Sequence, residues 1–263
     1  MQKQIQIPGA TLNVEDVGQG IPILFVHGFP LDHSMWRFQI ADLSTDFRCI
    51  APDLRGFGRS TVSDGLVTMR QFADDMAALL DALDITEPVV FCGLSMGGYI
   101  GWEFARRHAE RLKALIQCDT KAMPDSEQVA TARRVLAHDV LRNGVAQLAE
   151  SMPARLFAAE TIRTQPELID ETRKVILSTS PIGISAAALG MAARNDARQW
   201  LADIKHQALL IVGEHDSISP PVEMLEIQSQ IPRCDYLVVS GAGHMAPFEK
   251  SSQVIPAIRR FLS

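Results

Sequence analysis

The chain has 263 residues and a formal net charge of −6; 47% of its residues are hydrophobic and 21% charged. That length suits one large α/β domain, alone or with an insertion, and the composition is that of an ordinary globular protein. No Lys/Arg block offers a phosphate-binding stripe and no apolar run reaches transmembrane length, so neither nucleic acid nor a membrane is an expected partner.

The first eight residues, Met1 to Pro8, lack the apolar core of a secretion signal. Residues 4–7 and 12–17 read as strands joined by Pro8-Gly9-Ala10, an antiparallel hairpin at the start of a sheet. Residues 22–26 are apolar throughout, as in a strand buried on both faces of a parallel sheet. The loop His27-Gly28-Phe29-Pro30 follows, then a helix over 35–43 and a strand over 48–51. The next loop runs from Asp53 to Ser60. Its Gly56 and Gly58 lack dinucleotide-binding spacing, so Asp53 and Arg55 are read as braces for loops at the mouth of a site. Residues 69–83 carry Phe72, Met76, Leu79, Leu80 and Leu83 as one apolar helical stripe.

Residues 89–92 form a further strand and residues 96–108 a helix, with Gly93-Leu94-Ser95-Met96-Gly97 between them and almost no loop. After a strand at 114–117 the β rhythm stops. Residues 121–195 show only helical patterns, at 127–141, 145–158, 166–178 and 184–193, broken at Asn143-Gly144, Gln165-Pro166 and Pro181-Ile182-Gly183. That is too many segments for one crossover, so 121–195 are read as a helical cap and 1–120 with 196–263 as the core domain. Strands at 209–212 and 236–239, with helices at 221–230 and 251–261, complete the chain. Of the four cysteines, Cys49, Cys92 and Cys118 lie in apolar strands, and none of the four, Cys234 included, forms a CxxC pair. They read as free thiols in a reducing compartment, which implies a cytoplasmic protein with no metal site.

The chemistry gathers around Ser95. A serine at the apex of so sharp a turn sits in strained backbone with its hydroxyl above the sheet edge, and the flanking glycines let strand and helix approach. The helix that starts at Met96 brings unpaired N–H groups and a positive end to the same point. Such a nucleophile needs a base and a group to orient it. His244, in the Gly-rich loop after the last strand, lies at the same C-terminal sheet edge. Asp216 closes Gly213-Glu214-His215-Asp216 directly after another strand, and the order Ser95, Asp216, His244 is that of a nucleophile elbow with its triad. Asp119 and Glu214 compete for the acid role. The oxyanion hole is assigned to the backbone N–H groups of Met96 and Phe29, because Pro30 has no N–H to offer. His27 is read as a structural residue that hydrogen-bonds locally.

Together, His27-Gly28-Phe29-Pro30, Asp53 to Ser60, Gly93 to Gly98, Gly213 to Asp216 and Gly243-His244 resemble the α/β-hydrolase family. The resemblance implies an eight-stranded, mostly parallel sheet, helices on both faces, and a cap between the sixth and seventh strands. It also implies hydrolysis through an acyl-serine without a cofactor. Within the family the chain is most similar to small bacterial carboxylesterases, with 3-oxoadipate enol-lactonases as the alternative. The implied partner is a small ester or lactone. Branches with aspartate in place of Ser95 (haloalkane dehalogenases, epoxide hydrolases) are disfavoured. Cofactor-free perhydrolases, which tend to carry tryptophan where Phe29 stands, carbon–carbon bond hydrolases and a non-enzymatic receptor are weaker readings. In the cap, Met152, Leu156, Phe157 and Met191 are candidates to line an apolar pocket. Arg133, Arg134 and Arg155 are candidates to hold a substrate carboxylate.

Overall fold

The computed structural model describes residues 2–263. The short apolar runs become eight strands: β1 (Gln2–Ile7), β2 (Ala10–Val17), β3 (Pro22–Val26), β4 (Arg48–Pro52), β5 (Val89–Leu94), β6 (Leu112–Cys118), β7 (Gln207–Gly213) and β8 (Cys234–Val239). They form one sheet in the order β1-β2-β4-β3-β5-β6-β7-β8. β1 and β2 form the expected antiparallel hairpin, β2 pairs antiparallel with β4, and every later pairing is parallel. β3 and β5 are buried at every position, so helices cover the sheet on both faces.

The amphipathic stretches become helices. α1 (Arg37–Leu43) follows a 3-10 turn at His33–Trp36, where the sequence pattern suggested one continuous helix. α2 (Met69–Ala82) is capped by the Thr68 hydroxyl, which accepts from the Gln71 N–H, and buries Phe72, Met76, Leu79 and Leu80. α3 (Met96–Arg107) starts directly after Ser95. Six helices separate β6 from β7: α4 (Glu127–Asn143), α5 (Ala146–Ser151), α6 (Pro153–Leu156), α7 (Ala159–Thr164), α8 (Pro166–Ser178) and α9 (Pro181–Ala192). α10 (Pro221–Gln228), α11 (Ala246–Glu249) and α12 (Ser251–Leu262) belong to the last part of the sheet. A 3-10 segment at Ala197–Asp203, with no counterpart in the sequence reading, leads into β7.

The helices between β6 and β7 differ from expectation in one place. Residues 145–158 show a single helical pattern, yet α5 stops at Ser151 and α6 starts at Pro153. Proline has no N–H to continue a helix and fits at a first turn. Phe157 and Ala158 then take extended backbone, and α7 starts afresh. Among the described residues no single helix is long and apolar enough to cross a membrane.

Parallel register brings the active loops together. Val26 pairs with Gly93, Leu94 with Cys118, Cys118 with Ile211, and Gly213 with Val239. The loops beginning at residues 27, 95, 119, 214 and 240 therefore all leave one edge of the sheet.

Candidate active site

Ser95 has φ 54° and ψ −110°, an arrangement L-residues avoid at a cost of about 1–3 kcal/mol. The surroundings hold it there. Its N–H donates to Cys118 O (2.9 Å), and its carbonyl accepts from Gly98 N–H (2.9 Å), Tyr99 N–H (3.1 Å) and the Thr120 hydroxyl (2.8 Å). The close approach read from the sequence is physical. A Cβ at Gly97 would stand 2.2 Å from Val26 O, and one at Gly28 would meet the Ser95 Cβ at 3.4 Å.

From Ser95 a chain of hydrogen bonds runs inward. The Ser95 hydroxyl is 2.8 Å from His244 Nε2, and His244 Nδ1 is 2.8 Å from Asp216 Oδ2. With a carboxylate against Nδ1, that nitrogen carries the proton, and Nε2 is left to accept from the serine. Asp216 is held on all sides. Its Oδ1 accepts from the N–H groups of Ile218 (2.8 Å) and Ser219 (3.0 Å), and Oδ2 also accepts from the Ser219 hydroxyl (2.6 Å). Burial pushes its carboxyl up, but the charge and hydrogen bond of His244, with those of Ser219, outweigh this and leave it below the ordinary carboxylate value.

The competing acids are placed otherwise. Glu214 points to the surface, where it accepts from the Ser240 hydroxyl and Gly241 N–H. Asp119 lies close to Asp216 and His244, but its Oδ1 accepts from Gly213 N–H (2.8 Å) and its Oδ2 has no partner among the described residues. Burial, reinforced by the Asp216 charge, raises its carboxyl well above the usual range.

The loop after β3 faces Ser95 from the other side. Among the described residues neither the Phe29 nor the Met96 backbone N–H has an acceptor. His27 Nδ1 donates to Gly28 O (2.9 Å), and its Nε2 accepts from Leu54 N–H (3.0 Å), so this ring ties two loops together. Burial lowers its proton affinity, in keeping with a neutral structural ring. Asp53 accepts from Asn13, from His33 and from Arg59 N–H, and Arg55 grips Asp75 through two nitrogens at 2.9 and 2.8 Å. Glu249 takes hydrogen bonds from Gly243 N–H (2.8 Å) and Ala158 N–H (2.9 Å), fastening the His244 loop to the segment before α7.

A cavity of about 580 Å³ stands over Ser95 and His244. Phe29, Tyr99 and Ile218 line it from the sheet edge; Leu136, Leu148, Met152, Leu156 and Met191 line it from the helices. Phe157 does not. The extended backbone after α6 turns its ring onto Phe248, with centroids 6.3 Å apart. Arg133 and Arg155 line the cavity, whereas Arg134 pairs with the exposed Glu127. Sequence reasoning missed Tyr99, Leu136, Leu148 and Ile218 in the cavity wall and Ser219 beside Asp216. Ser219 stands three residues after Asp216, the spacing at which a hydroxyl can reach back to a carboxylate, and that signal was available.

A serine at a strand–helix elbow, over an eight-stranded mostly parallel sheet, defines a class of α/β enzyme. The chain belongs to the α/β-hydrolase fold family, whose model matches residues 21–251. It is 45% identical to a thermophilic esterase from Thermogutta terrifontis, solved with malate bound, over 100% of this chain and 98% of that one, with a TM-score of 0.97. It is 30% identical to the enol-lactonase of Burkholderia xenovorans over 99% of both chains, with a TM-score of 0.93. It is also 30% identical to 3-oxoadipate enol-lactonase 1 of Acinetobacter baylyi, over 97% of this chain and 94% of that protein. Fold and relatives together make the protein an enzyme that hydrolyses ester bonds.

Proposed function

We propose that the protein is a serine carboxylesterase for small esters, acting through an acyl-Ser95 intermediate. The observation that carries this is the pair of 2.8 Å hydrogen bonds from Ser95 to His244 and from His244 to Asp216, at the floor of a cavity of about 580 Å³. His244 Nε2 takes the serine proton as Oγ attacks the ester carbonyl. Asp216 keeps the imidazole in the tautomer that can accept that proton and balances the imidazolium that forms. The N–H groups of Phe29 and Met96 bind the oxyanion, a contribution of about 3–4 kcal/mol for each donor of this kind. His244 returns its proton to the leaving alcohol, and water releases the acid by the reverse steps. Residues 121–195 act as a cap that sets which acyl and alcohol groups fit, since α4, α5, α6 and α9 supply the cavity's outer wall. Three buried free thiols support a cytoplasmic location.

The test is turnover of p-nitrophenyl acetate. Ser95→Ala should lower kcat by about 10⁴-fold or more while leaving the circular dichroism spectrum unchanged. Undiminished turnover in that variant would overturn the assignment. Lactone hydrolysis is the second reading, favoured by the end-to-end similarity to two enol-lactonases. Running 3-oxoadipate enol-lactone beside the p-nitrophenyl esters separates the two.

A further inference from the structure

We infer that Glu249 is a positioning residue for the base: its carboxylate fixes the turn that carries His244 and ties that turn to residues 157–158, so that the alignment of His244 with Ser95 depends on how the helices over the cavity are seated. This rests on the hydrolase reading above and adds a link between the reacting groups and the cavity's outer wall.

Glu249 ends α11, just beyond His244, and is buried. Its Oε1 accepts from Gly243 N–H (2.8 Å) and Met245 N–H (3.3 Å), the residues on either side of His244. Its Oε2 accepts from Ala158 N–H (2.9 Å). All three donors are main chain. Among side chains of this length only a carboxylate can meet N–H groups with both ends, because glutamine keeps one accepting oxygen and turns donors the other way. Burying a charge is costly unless its hydrogen bonds are made, and charge-assisted bonds to N–H groups are strong when they are. The division of labour is clear: Asp216 holds the imidazole through Nδ1, and Glu249 holds the backbone from which the imidazole hangs.

The turn has no slack. A Cβ at Gly243 would stand 2.5 Å from Ala158 N and 2.8 Å from Phe157 C, and a Cβ at Gly213, the end of β7, would collide with Gly243 O. The His244 turn is therefore clamped between the sheet edge and residues 157–158. Phe157 packs on Phe248, and Gln39 Nε2 donates to Pro247 O (2.6 Å), so α11 is anchored on both sides. Leu156, next in the chain to Phe157, lines the cavity. A substrate pressed against Leu156 thus bears on Ala158 and, through one carboxylate, on both neighbours of His244. A displacement of about 1 Å at a reacting group can cost about 100-fold in rate.

The experiment measures kcat and KM for p-nitrophenyl acetate in the wild type, Glu249→Gln and Glu214→Gln, with amide hydrogen exchange in the wild type. Glu249→Gln should lower kcat about 10- to 100-fold while KM stays within about threefold, because alignment is lost and binding is not. Glu214→Gln weakens a surface acceptor of the same loop, at Ser240 and Gly241, and should leave kcat within about twofold. In the wild type the Ala158 and Gly243 amides share one carboxylate and should open together, with protection factors within about tenfold of each other. The inference is overturned if folded Glu249→Gln loses less than about tenfold in kcat, if its loss lies in KM, if Glu214→Gln falls as far, or if the two amides differ by more than about tenfold. Should Glu249→Gln not fold, the exchange measurement on the wild type decides alone. If the folded wild type turns over no ester, the hydrolase reading fails first, a distinct result.

Discussion

The floor and the roof of the cavity are built on different terms. In the floor, backbone does the positioning. Ser95 is pinned by its own N–H and carbonyl, Asp216 by two backbone N–H groups, and the loop after β3 by a histidine that bonds only to main chain. In the roof, side chains from α4, α5, α6 and α9 face the cavity, and the main-chain tie before α7 runs through Glu249. Geometry set by the backbone tolerates little change, whereas a wall of flexible side chains can be resized. On the proposed reading the floor carries the reaction, and the roof carries the choice of substrate.

Changes in the floor should be severe. Asp216→Asn keeps the shape of the carboxylate but hands His244 the wrong tautomer, so kcat should fall about 10⁴-fold in steady-state assays with little loss of stability. Gly97→Ala sets a methyl against Val26 O, a backbone atom that cannot swing away. Urea denaturation should register a loss of about 3 kcal/mol or more. A drop under about 1 kcal/mol would mean that the elbow is less tightly framed than the floor requires.

A milder effect is expected one step back, at the brace behind the loop after β3. Asp53 is buried and bonded to His33, which together with Arg59 N–H overcomes the cost of burial and brings its pKa from 3.8 to about 2. A depressed carboxyl contributes stability above its unfolded pKa and loses it as pH falls through the folded one. Its share, about 2 kcal/mol, should therefore disappear between roughly pH 4 and pH 2. Asp53→Asn should flatten that part of the stability curve relative to the wild type, followed by denaturant titration at each pH. The smallest effect belongs to the roof. Met152→Ala should shift preference towards longer acyl chains by about 3- to 10-fold across a p-nitrophenyl ester panel. Loss of turnover on every ester would break the division between the two regions.

The same division decided what could be read from sequence. Strands such as Pro22–Val26 and Val89–Leu94 announce themselves as unbroken apolar runs, and the loops leaving their C-terminal ends must share an edge whatever the side chains do. Ser95, Asp216 and His244 were nameable for that reason. The roof depends on where short helices stop. The Met152-Pro153 junction was the available signal for a break, and missing it placed Phe157 in the wall when the chain had already turned it onto Phe248. Arg133 and Arg134 are neighbours in sequence, yet only the first lines the cavity. No local pattern separates them, because the helix's rotation is set by packing against α9.

The central claim is that Ser95 is a nucleophile activated by His244, and covalent capture tests it most directly. A fluorophosphonate added to the folded enzyme should raise the intact mass by one adduct, mapped by peptide sequencing to Ser95. It should react at least 10³-fold more slowly with His244→Ala and not at all with Ser95→Ala. Labelling of Ser95→Ala at the wild-type rate, or an adduct on another residue, would contradict the account.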